Sequence, residues 1–198
     1  MKTIFMTVVM TLASVVLFAE GYAVGDKADG FILKNVDGKM VSLNDYPDAK
    51  GFVVIFTCNH CPYAKAWEGR IIDLDKKYKT KGYPVIAISS NDASIVPDDD
   101  YDHMVAYAKE KGFTFPYLYD ETQEVADKYG AMRTPHVYLL EKEKAGLIVK
   151  YIGAIDNNYK NPSEVTETYL ADAIDAVLTG KDPNPSETKA VGCSIKRK

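Results

Sequence analysis

The chain has 198 residues, enough for one domain with a substantial hydrophobic core. Apolar residues make up 46% and charged residues 26%, the balance of an ordinary globular protein, which excludes collagen-like and disordered classes. A net charge of −4 argues against nucleic acid or an anionic membrane surface as the main partner.

In chain order, Met1, Lys2 and Thr3 precede an apolar run from Ile4 to Phe18, followed by the small residues Ala19, Gly21 and Ala23. One positive charge, a short hydrophobic run and small residues form the pattern of a secretory signal peptide. The run falls short of the roughly 20 residues a membrane-spanning helix needs. Residues 1–23 are therefore expected to be a signal peptide, with cleavage after Ala19 or Ala23, and the protein to be exported to a periplasmic or other extracytoplasmic compartment.

Phe31 to Leu43 reads as strand, turn, strand, with Asp37-Gly38 at the turn. The continuous apolar run Phe52–Phe56 fits a strand buried on both faces. Pro62 suits the first turn of a helix, and Ala64, Trp67, Ile71, Leu74 and Tyr78 recur at helical spacing up to Gly82. Val85–Ile88 is a second buried strand. Tyr101, Met104, Val105 and Ala108 mark a second helix ending at Gly112, and the preceding Asp98–Asp100 reads as helix N-terminal charge. Phe115–Tyr119 follows as a short strand and Thr122–Tyr129 as a short helix. His136–Leu140 and Leu147–Ile152 form a hairpin, and Val165 to Leu178 carries one apolar helical stripe. Residues 181–198 are polar and proline-bearing and read as a C-terminal tail. Strands alternating with helices predict a single α/β domain over residues 24–180, with a sheet covered on both faces.

The chemistry is concentrated in Cys58-Asn59-His60-Cys61-Pro62, two thiols at a strand-to-helix junction. A Cys-x-x-Cys pair closes too small a loop to stabilise a fold much, so chemistry accounts for it better than architecture. The helix N-terminus favours thiolate over thiol. Cys58, just before the helix, is expected to be the more exposed sulfur and the nucleophile, and Cys61 the resolving thiol. His60, if protonated, would stabilise the reduced form and tune the pair. Cys193 stands alone near the C-terminus, as a third redox thiol, an intermolecular link or an inert residue. His136, after Pro135, has a structural or a functional reading, and His103 reads as solvent-facing.

This motif, its strand–helix setting and Arg133-Thr134-Pro135 resemble the thioredoxin superfamily, in particular its exported redoxin, peroxiredoxin-like branch related to TlpA/ResA-type proteins. The terminal Gly192-Cys193-Ser194-Ile195-Lys196 resembles that group as well. The resemblance implies a thioredoxin-like fold: a central mixed sheet flanked by helices, with an N-terminal β-hairpin and an inserted helix–strand unit. It implies a cis Pro135 facing the disulfide, and Thr134 offering backbone hydrogen bonds to an extended substrate; it also moves Cys193 toward an additional redox role. Three departures stand out. Thr57 replaces the Trp that precedes the pair in thioredoxins proper. The Phe52–Phe56 strand lacks their buried Asp. Cys58 takes the place of the Thr that peroxiredoxins hold three residues before their reactive Cys.

The leading expectation is a thiol–disulfide oxidoreductase acting on thiol- or disulfide-bearing proteins or small thiols, with no cofactor or metal required. A membrane electron donor is a further partner that the resemblance suggests. The alternatives are a thiol peroxidase and a chaperone holding Cu(I) through Cys58, Cys61 and His136.

Overall fold

The computed structural model describes residues 21–198, so most of the signal-peptide segment lies outside the described residues. Among the described residues, ten strands and four α-helices follow one another. β1 spans Lys27–Ala28, β2 Ile32–Asn35, β3 Met40–Ser42 and β4 Gly51–Thr57; α1 spans Pro62–Tyr78 and β5 Val85–Ser89. α2 is Tyr101–Lys111, β6 Tyr117–Tyr119, α3 Glu124–Tyr129, β7 Arg133–Thr134 and β8 His136–Glu143. β9 is Gly146–Gly153, α4 Tyr169–Leu178 and β10 Cys193–Ser194.

Eight strands form one mixed sheet in the order β1-β9-β8-β4-β5-β6-β2-β3, and β7 pairs separately with β10. β4, β5 and β6 run parallel, so their C-terminal ends open on one edge, where α/β sheets place ligands and reactive groups. β8 runs antiparallel to β4 with Phe56 opposite His136. That register brings the residues just before β8, Thr134 and Pro135, alongside the end of β4 and Cys58.

Alternation along β4 divides the core. Val53 and Ile55 pack with Trp67, Ile71 and Tyr78 of α1, Met104 of α2 and Leu170, Ile174 and Val177 of α4. Phe52, Val54 and Phe56 face the other layer, with Phe31, Leu43, Tyr129 and Tyr138. Tyr129 meets Phe56 and Tyr138 at centroid distances of 5.6 and 5.3 Å, in tilted and edge-on geometry. The expected hairpin at 31–43 is β2–β3. Gly38 takes φ +83° at its turn, a conformation a side chain resists.

Two helix boundaries differ from the periodicity. α4 starts at Tyr169 because Asn157 Oδ1 accepts the backbone N–H groups of Thr166 and Glu167, holding that stretch outside the helix; Val165 therefore precedes it. Thr122 likewise precedes α3, which begins after Gln123 at φ +65°. The polar segment 181–198 returns to the domain: Thr188 N–H donates to Ile152 O, Ile195 N–H donates to Met132 O, and Ile195 is buried in the second core layer.

Candidate functional site

Pro62 occupies the first helical position of α1 and leaves Cys61 as its N-cap. Proline is favoured there because its missing N–H would have had no intrahelical partner. Cys58, at the exit of β4, is 2% exposed and Cys61 0%, so both thiols are buried. Cys58 Sγ lies 3.4 Å from Thr134 Oγ1. Cys61 Sγ is 3.1 Å from the Thr134 carbonyl, which accepts its proton when it carries one. The Thr134–Pro135 bond is cis. Cys193 reaches back from the C-terminus to put its Sγ 2.8 Å from that of Cys61.

The sequence alone places the thiolate on Cys58, whereas the environment favours it on Cys61. The Cys61 thiol is held below the ordinary value, first by the hydrogen bond from Cys58. Burial opposes this, and Cys193 and the Ala64 backbone N–H at the helix start reinforce it. Cys58 is pushed up by that same bond with Cys61, then by burial, then by the negative charge of Asp99. The surroundings thus favour negative charge one turn further into the helix start than exposure reasoning places it. Cys193 is pushed up to about 11, by burial first and then by Cys61.

His60, 25% exposed at its side chain, has Nδ1 2.5 Å from the fully buried Asp99 carboxylate. Asp99 also accepts the backbone N–H of Asn59 at 2.7 Å and of His60 at 3.2 Å, and the Asn91 side-chain amide at 2.7 Å. The Cys58-to-Cys61 loop is therefore held by a carboxylate from another part of the chain. Asp100 does cap α2, accepting the His103 backbone N–H at 2.8 Å. Its neighbour Asp99 turns inward instead. A run of three aspartates before a helix gives no periodic signal as to which one turns in, so sequence reasoning missed this residue.

His136 is buried beside Tyr138 and faces the Met132 N–H through Nδ1 at 3.3 Å. Burial, aided by Arg133, lowers its pKa to about 4. Among the described residues, the His/Cys/Asp/Glu trio with ligand atoms within 4.8 Å of one another is Cys58, His60 and Asp99. The Cys58–Cys61–His136 set is not assembled as a metal site. Among the described residues no helix is long and apolar enough to cross a membrane.

Residues 24–155 match the AhpC/TSA family. The thiol-disulfide oxidoreductase ResA of Oceanobacillus iheyensis is 33% identical over 127 residues, 61% of this chain and 60% of its own length. The chain thus spans about three fifths of that relative. A conserved protein of Geobacillus kaustophilus, known from its crystal structure, is 39% identical with a TM-score of 0.81, covering 89% of this chain and 93% of that one. The thioredoxin domain of a thiol-disulfide oxidoreductase from Bacteroides vulgatus is 20% identical with a TM-score of 0.54, covering 65% and 88%. That last likeness is one of fold, and the fold is thioredoxin-like.

Proposed function

The chain belongs to the AhpC/TSA family, and within it we propose that the protein is a thiol–disulfide oxidoreductase working through Cys58 and Cys61. The observation that carries this reading is the placement of both sulfurs at the start of α1, each within reach of Thr134 beside the cis Thr134–Pro135 bond. A dithiol with one sulfur favoured as thiolate attacks a partner disulfide, forms a mixed disulfide and is released when the second sulfur attacks the first. The hydrogen bond from Cys58 favours the charge on Cys61 in the reduced arrangement. Cys58 gains it once the proton shared between them moves.

His60, fixed by Asp99, lies beside Cys58 and tunes the pair, while the Thr134–Pro135 edge receives an extended segment of the partner. Partners are thiol- or disulfide-bearing proteins, and a membrane electron donor supplies electrons if the protein works as a reductase. The N-terminal signal pattern supports an extracytoplasmic site of action. A peroxidase reading is less favoured, since Cys58 fills the position of the threonine that peroxiredoxins use.

Equilibration with glutathione buffers tests the reading. Stabilising the Cys61 thiolate stabilises the reduced form, so the Cys58–Cys61 potential is expected to be less negative than the about −270 mV of thioredoxin. A pair that forms no disulfide, or a protein that reduces no disulfide substrate, overturns it.

A further inference from the structure

The tail does more than lie near the thiols. β10 pairs antiparallel with β7, with Cys193 opposite Thr134 and Ser194 opposite Arg133. This is the edge that the proposed function assigns to an extended substrate. A Cβ on Gly192 would run into the Thr134 carbonyl, so close backbone approach requires glycine at that position. Beyond the cysteine the strand is fastened firmly. Lys196 N–H donates to Asn91 Oδ1 at 2.8 Å, and Lys196 O accepts from Asp92 N–H at 2.9 Å and from the Gln123 amide at 2.7 Å. Arg197 pairs with Asp127 at 2.5 Å.

We propose that Gly192–Lys196 is an internal substrate strand, docked as a partner peptide docks, whose Cys193 exchanges with the redox pair at Cys61. The proposal rests on the oxidoreductase reading, which supplies the oxidised pair. Cys193 Sγ attacks Cys61 Sγ; the Cys61–Cys193 bond forms, the Cys58–Cys61 bond breaks, and the proton lost by Cys193 goes to Cys58. One disulfide and one thiol enter and one of each leaves, so no external oxidant is consumed. Docking makes the step intramolecular, with Cys193 presented at high effective concentration. Cys61 inside a disulfide carries no negative charge, which removes its electrostatic hold on the Cys193 proton. The exchanged form keeps its tail fastened over the Thr134 edge, so a partner protein gains that edge only by displacing the strand. Cys58 is then a free thiol.

Three variants and the unmutated protein test this after oxidation with oxidised glutathione, alkylation of remaining thiols and non-reducing peptide mass mapping. Cys58→Ser is expected to give a Cys61–Cys193 cross-link within one chain. Separate glutathione adducts on Cys61 and Cys193, or cross-links between chains, overturn the proposal. Gly192→Val, which pries off the strand and leaves all three thiols in place, is expected to lower the Cys61–Cys193 fraction about tenfold. An unchanged fraction overturns the docking argument, and the map of the unmutated protein shows the same cross-link if the proposal holds. In Cys193→Ser, failure to form Cys58–Cys61 would instead sink the oxidoreductase reading, so the two failures are told apart.

Discussion

Asp99 is fully buried and lies 2.5 Å from Nδ1 of His60, a residue 39 positions earlier in the chain. One carboxylate receives the backbone N–H groups of Asn59 and His60, the Asn91 amide and the imidazole, and so fixes the loop that carries Cys58 and Cys61. Thioredoxins proper place an acidic residue in the strand before the pair. Here the acidic group comes from the segment between β5 and α2 and reaches the site from the side.

Asp99→Asn keeps the shape of the side chain but removes its charge and replaces one acceptor oxygen with a donor. The buried N–H groups facing it lose part of their bonding, at a cost of about 1–3 kcal/mol, visible as a lower denaturant midpoint. The Asp99 charge raises the Cys58 pKa, so its loss should make Cys58 easier to ionise and shift the Cys58–Cys61 potential. A drop in stability with no change in potential would mean that Asp99 only holds the loop.

The thiolate should titrate on Cys61. In the reduced protein, ultraviolet thiolate absorbance is expected to persist to pH values well below the usual thiol pKa of about 8.5. This low-pH step should vanish in Cys61→Ser and move upward in Cys58→Ala, which removes the hydrogen bond that does most to lower the Cys61 pKa. A step that survives Cys61→Ser and is lost in Cys58→Ala would return the charge to the more N-terminal sulfur.

His136 links stability to pH in a known direction. Its folded pKa of about 4 lies below the ordinary value of about 6.5, so the unfolded chain takes up its proton first as pH falls. Above pH of about 6.5 both states are neutral and nothing is lost; between there and about 4 the folded state loses up to about 3 kcal/mol. His136→Asn should flatten that part of the stability profile, read from denaturation midpoints across the range. A wild-type and variant pair with parallel profiles would show that the ring takes up a proton without cost.

How much of this was legible before folding follows from the range of each signal. Periodicity and turn residues are local, so Phe52–Phe56, the α1 stripe and the Asp37-Gly38 hairpin were all readable, as was the Cys58–Cys61 spacing. β1 and β10 are two residues each and gain their identity only from the strands they meet. Val165 looked helical by spacing, yet Asn157 captures the backbone after it and delays the helix.

The sequence by itself determined the order of the longer strands and helices, the junction that carries two thiols, and the family to which the pattern belongs, because those depend on neighbours a few residues apart. Only the tertiary structure decided that Asp99 and not Asp98 or Asp100 meets His60, that the charge favours Cys61, and that Cys193 returns to within 2.8 Å of it. Those outcomes depend on which distant groups share one buried volume. Hydrogen-bond and charge energies there are set by distances of a few ångströms, which spacing along the chain does not encode.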